Sequence, residues 1–176
     1  DNALASLAGQ NQPGNTAKLT IDSRIQTAAE QALKGFKGAV VVMDPRTGAV
    51  LACASSPTYD NTNLDALMQS VGGEDGSMYD RAMDALYTPG STFKVVTLSA
   101  ALETGTASLT STYQAPGSMD IGNAPVTNYA NESYGTISLQ QAFAVSSNVV
   151  FGQVANEVGA NTLVQFANAF GYGQKL

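Results

Sequence analysis

Two runs rich in small and apolar residues, GAVVVMD and GAVLACAS, are joined through Pro45-Arg46-Thr47-Gly48. Residues that favour a pleated surface on both sides of a Pro/Gly turn predict a β-hairpin. Each run is nearly continuous in apolar residues rather than alternating, so at least part of the hairpin is expected to be covered on both faces. What flanks it reads mostly as helix, which sets the fold class as α/β (α+β): an antiparallel sheet with flanking helices.

Ahead of the hairpin, KLTI (18–21) reads as a short strand and DSRIQTAAEQAL as a helix. Ser23 and Gln26 have capping-box spacing there, and Ile25, Ala29 and Leu33 share one face. After it, SSPTYDNTN breaks the strand and Gly72-Gly73 marks a flexible point. A helix is expected from Ser91 to Glu103, with Val95, Leu98, Ala101 and Leu102 as its core stripe and Gly105 ending it. Residues 105–136, rich in Thr, Ser, Asn, Gly and Pro, read as irregular. Ser138 and Gln141 repeat the capping-box spacing and open a helix through Ala144; NVVFGQVANEVG and NTLVQFANAFG read as two more.

A chain of 176 residues can bury one sizeable core but not comfortably two. Its formal charge of −6 leaves no basic stripe for phosphates, so nucleic acid is excluded as a partner. No apolar run of about 18 residues could span a membrane, and DNALASLAGQNQPG lacks the features of a signal peptide. The chain therefore reads as part of something longer, with residues 1–17 a linker from an upstream region and 18–176 a domain. The lone Cys53 has no disulfide partner and, with no histidine present, cannot build a zinc site; a small buried residue fits its surroundings. The missing histidine also rules out Ser-His-Asp and Cys-His catalysis, leaving Lys, Asp, Glu or Tyr as the general base.

Against that background TPGSTFKVV (88–96) stands out. Positions i and i+3 of a helix are neighbours, so Ser91 and Lys94 come within hydrogen-bonding reach. A serine alcohol is a poor nucleophile until a base takes its proton, and lysine can do so only when neutral, a state favoured by desolvation. Phe93, Val95 and Val96 are the expected drying residues. Pro89-Gly90 places Ser91 at the helix start, where the dipole favours a developing oxyanion. The same letters also read as a polar helix start followed by a solvated lysine. Two details weigh against that: S-x-x-K occurs once, and Lys94 is the only lysine between Lys37 and Lys175.

PGSTFK resembles the active-site signature of the penicillin-binding transpeptidases, serine enzymes acting on D-Ala-D-Ala peptides. LTIDSRIQTAAEQAL, GAVVVMDPRTGAVLACASSPTYD, YGTISLQQAFAVSSNVVFGQVANEVG and FANAFGYG resemble the same domain in the same order, over roughly residues 18 to 173. The resemblance implies the penicillin-binding transpeptidase/β-lactamase-like fold and Ser91 and Lys94 as nucleophile and base. It also implies a second element, S-x-N, matched by Ser146-Ser147-Asn148. There Ser146 would relay a proton between Lys94 and the leaving amine, and Asn148 would bind the substrate peptide; both residues also suit helix capping. Tyr129-Ala130-Asn131 matches the Y-x-N of some relatives, but the segment leading into Ser146 favours the latter. The family's third element, K-[ST]-G, is not found after any of the five lysines. The C-terminal sheet strands are accordingly expected to be missing, the isolated chain to acylate poorly, and an exposed sheet edge to invite self-association.

The implied function is cross-linking of peptidoglycan stem peptides through a Ser91 acyl-enzyme, with β-lactams trapped at the same serine and no metal or organic cofactor. The resemblance further implies a membrane anchor outside this chain, the extracytoplasmic face of a bacterial membrane, and assembly with other cell-wall enzymes. A D,D-carboxypeptidase and a non-catalytic β-lactam sensor of the same fold are the alternatives. The monofunctional kind is preferred over the bifunctional one, which upstream sequence would decide. Glu157, the only glutamate after Ser146, falls mid-helix and reads as solvated rather than as the deacylating base of a β-lactamase.

Overall fold

The computed structural model describes residues 16–60, 62–63 and 76–174. The Gly72-Gly73 point, Lys175 and most of the 1–17 segment lie outside the described residues. The chain divides into two compact units, residues 1–87 and 88–176, each taken by itself below.

In the first unit, helix α1 (Ser23–Ala32) precedes the strands β1 (Gly38–Met43) and β2 (Val50–Ser56). The two strands pair antiparallel from Gly38–Ser56 to Met43–Val50, with an irregularity at Val42/Met43. The turn closes through Asp44, whose N–H donates to the Ala49 carbonyl and whose carbonyl accepts from Gly48 N–H. Ala29 and Leu33 of α1 pack on Ala52 and Ala54, joined by Ile25, Val40 and Val42, so the predicted helix face is the buried one.

Three local expectations change here. KLTI forms no ladder; it is tied to β2 only by Thr20 Oγ1 to the Val50 carbonyl (2.6 Å) and by Asp22 N–H to that of Leu51. The helix N-cap is Asp22, whose carboxylate accepts from Arg24 N–H, not Ser23. Gln26 is therefore free of capping duty, and its amide pairs with the Cys53 backbone at both ends, 2.8 and 3.0 Å, acting like a short added strand. The face away from α1 is covered only in part: the Tyr79 carbonyl and Arg81 N–H meet Ser55 Oγ, while Val41 and Met43 are about half-exposed and Cys53 is half-buried rather than buried.

The second unit opens with a 3₁₀ turn (Gly90–Phe93) leading into α2 (Lys94–Glu103). Four short strands follow, β3 (Thr112–Ala115), β4 (Ser118–Ile121), β5 (Ala124–Thr127) and β6 (Gly135–Ser138), then helices α3 (Leu139–Ala144), α4 (Asn148–Val158) and α5 (Ala160–Ala169). The strands form two antiparallel ladders, β3 with β6 and β4 with β5. The stretch expected to be irregular is thus partly β. Its four-residue strands are too short to show a period. The tight β4–β5 turn rests on Gly122 and Asn123 at φ +60° and +65°, a Gly-Asn signal of the kind that marks hairpins.

The capping box at Ser138 and Gln141 forms as expected. Around α4 the core gathers Ala100, Ala101, Leu139, Val150, Phe151, Val154 and Val158. The α2 stripe is met in part: Ala101 is buried and Leu98 packs on the core, but Val96, Thr97 and Ala100 are buried while Val95 and Leu102 are exposed. Fully burying a valine such as Val150 or Val154 stabilises by about 1.5–3 kcal/mol. The mixed α/β class stands, with antiparallel ladders and flanking helices. No described helix is long and apolar enough to cross a membrane.

Candidate active site

Ser91, Lys94, Ser146 and Asn148 all lie in the second unit and converge on one amine. Lys94 Nζ lies 3.2 Å from Ser91 Oγ, 2.9 Å from Ser146 Oγ, 2.6 Å from the Ser146 carbonyl and 2.7 Å from Asn148 Oδ1. Ser146 Oγ is 3.1 Å from Ser91 Oγ, closing a triangle of two hydroxyls and an amine. The Ser146 carbonyl and Asn148 Oδ1 can only accept, so they hold the amine in place beside the two hydroxyls.

The pKa of Lys94 is lowered from the ordinary 10.5, and burial is the cause. Of the residues expected to dry it, Val95 is exposed and Val96 is buried in the core, while Phe93 meets Tyr172 edge-on at 5.3 Å. Phe151 also lies close, its ring centroid 5.8 Å from Nζ. It sits three residues after Asn148 on α4, so helix register alone could have indicated it.

Each partner is placed by local structure. Gly90, at φ +55°, turns the chain into the 3₁₀ segment that carries Ser91. Ser146 is also left-handed, at φ +55°. It follows Val145, the C-cap of α3, in a Schellman arrangement: Ser147 N–H donates to the Ala142 carbonyl and Ser146 N–H to that of Phe143. Glycine usually fills this position because a Cβ there costs about 1–2 kcal/mol; the hydroxyl is carried despite that cost. Asn148 then starts α4, with Ser147 as its N-cap through Val150 N–H.

Tyr129-Ala130-Asn131 forms a separate 3₁₀ turn, and Tyr129 is 88% exposed with no bond to Lys94. Glu157 is exposed and accepts from Tyr113 O–H at 2.9 Å; burial, with that bond second, pushes the phenol pKa up to about 12. Sequence reasoning missed Phe151 and the buried pair Ser147–Asn128.

Two serine hydroxyls and a half-buried lysine amine within hydrogen-bonding distance, one serine on a turn between helices, are the arrangement a Ser–Lys acyl transfer would need. The profile of the penicillin binding protein transpeptidase domain matches residues 38–176, and the chain belongs to that family. It is 38% identical over 185 residues to the peptidoglycan D,D-transpeptidase PbpA of Mycobacterium tuberculosis, covering 93% of this chain and 37% of that protein. The D,D-transpeptidase domain of a peptidoglycan glycosyltransferase from Eggerthella lenta superposes with a TM-score of 0.88 at 48% identity, covering 93% of this chain and 40% of that one. A ceftriaxone acyl-enzyme complex of penicillin-binding protein A from M. tuberculosis matches with a TM-score of 0.84 at 35% identity, covering 98% and 43%. The chain thus spans well under half the length of these relatives.

Proposed function

We propose that this chain supplies the nucleophile, base and proton relay of a peptidoglycan D,D-transpeptidase. The observation that carries the reading is the triangle of Ser91 Oγ, Lys94 Nζ and Ser146 Oγ, with sides of 2.9–3.2 Å. Neutral Lys94 takes the Ser91 proton as Oγ attacks the carbonyl between the last two D-Ala residues of a stem peptide. The positive end of the helix that follows Ser91 favours the oxyanion that forms. When the tetrahedral adduct collapses, the C–N bond breaks and the proton passes from Lys94 through Ser146 to the departing D-Ala amine. An acceptor amine then attacks the Ser91 ester and gives up its proton to Lys94. The ester C–O bond breaks, and the proton returns to Ser91 Oγ. Asn148, beside Lys94, holds the substrate peptide.

A β-lactam enters by the same attack, but its opened ring stays tethered and blocks the acceptor. The reading puts the chemistry at the extracytoplasmic face of the membrane, where peptidoglycan lies, and makes residues 18–176 part of one transpeptidase domain with 1–17 leading into it.

The test is release of D-Ala from a pentapeptide stem by the intact protein carrying this chain, with and without an amine acceptor. Release coupled to joining of the acceptor is expected. Hydrolysis that persists at high acceptor concentration would instead indicate a carboxypeptidase, and stable acylation by penicillin without any D-Ala release a sensor.

A further inference from the structure

Asn128 lies at the end of β5, far in sequence from the serines and outside every motif above, yet it is 3% exposed. Its side chain makes all four hydrogen bonds available to an amide. Nδ2 donates to the carbonyls of Pro116 (3.1 Å) and Glu132 (2.9 Å). Oδ1 accepts from Ser147 Oγ–H (3.1 Å) and Val149 N–H (3.1 Å). Its N–H donates to the Gly117 carbonyl and its own carbonyl accepts from Asn131 N–H. The neighbouring Thr127 carbonyl accepts from Asn148 Nδ2 at 2.8 Å.

The partners on the acceptor side are the two residues that bracket Asn148. Ser147, 1% exposed, and Val149 are fixed by Asn128, while Ser146 just before them is held in a left-handed conformation that favours glycine. Such a turn persists only when its surroundings over-determine it. The two halves of the amide thus do different work: Nδ2 ties together the 116–132 loop, and Oδ1 ties the Ser146–Asn148 turn to that loop.

Building on the transpeptidase reading, we propose that Asn128 is a positioning residue. Through Oδ1 it fixes the turn that aims the Ser146 hydroxyl and carbonyl and the Asn148 amide at Lys94, and so sets the rate at which Ser91 is acylated.

The test measures the second-order rate of Ser91 acylation by penicillin, together with the thermal midpoint, in the intact protein at a temperature where every variant is folded. Asn128→Ala loses both halves; acylation is expected to slow by about tenfold to a hundredfold, since misplacing a reacting group by about 1 Å has effects of that size. Asn128→Asp keeps an acceptor for Ser147 and Val149 but turns an oxygen toward the Pro116 and Glu132 carbonyls. It is expected to lower the midpoint as much as Asn128→Ala while keeping most of the acylation rate. Ser147→Ala should slow acylation less, and its effect should not add to that of Asn128→Ala. If Asn128→Ala does not fold, Asn128→Asp and Ser147→Ala carry the comparison. A wild-type rate in Asn128→Ala, or rates that fall in step with the midpoints in both Asn128 variants, would overturn the proposal. A wild-type protein that takes no acyl group would overturn the transpeptidase reading and this inference with it, an outcome distinct from either of those.

Discussion

Asn148 Oδ1 accepts from Lys94 Nζ at 2.7 Å, across 54 positions of sequence. The start of α4 is thereby joined to the start of α2 by Lys94, whose amine also reaches Ser91 Oγ. With the Ser146 carbonyl at 2.6 Å, this contact holds the amine beside the two hydroxyls.

That arrangement predicts a pH profile. Lys94 has a folded pKa below 10.5 because of burial, so folding favours its neutral form. Acylation of Ser91 should rise with pH and reach half its plateau below 10.5, as the neutral fraction grows. The stability linkage has the matching sign: the unfolded chain binds more protons between the folded and unfolded pKa values, so stability rises with pH across that window. Lys94→Arg, a cation that cannot lose its proton, should abolish acylation at every pH. A rate versus pH series on both proteins checks this.

Ser146 separates stability from chemistry. Ser146→Gly removes a Cβ from a left-handed position and should gain about 1 kcal/mol over Ser146→Ala, which keeps the unfavourable conformation. Both lose the hydroxyl 3.1 Å from Ser91 Oγ and should acylate slowly. Thermal melts alongside acylation rates would show the two effects moving apart.

The phase of α2 can be tested in the same way. Val96 is 2% exposed and Val95 44% exposed, so Val96→Ala should cost about 2 kcal/mol. Val95→Ala should change stability by no more than about 0.5 kcal/mol. Denaturant titrations of the two variants distinguish this register from a stripe that includes Val95.

That Ser91, Lys94, Ser146 and Asn148 come together was legible because S-x-x-K and S-x-N are recognisable motifs, and the capping box at Ser138 and the face Ile25-Ala29-Leu33 follow from local periodicity. What escaped depends on tertiary partners. Asp22 and Ser23 are equally good N-caps, so the letters do not choose between them or show that Gln26 will pair with Cys53. Nothing in TNYAN marks Asn128 as buried rather than as one more loop polar residue. The β3–β6 and β4–β5 ladders join strands of four residues, too short for alternation to stand out from the turns around them.

The central claim, that Ser91 is the nucleophile, is tested most directly by intact mass and peptide mapping after the full protein is incubated with penicillin. The account predicts a single penicilloyl adduct on the peptide containing Ser91, absent from Ser91→Ala. An adduct that persists in Ser91→Ala, or that maps to Ser146 or another residue in the wild type, would contradict it.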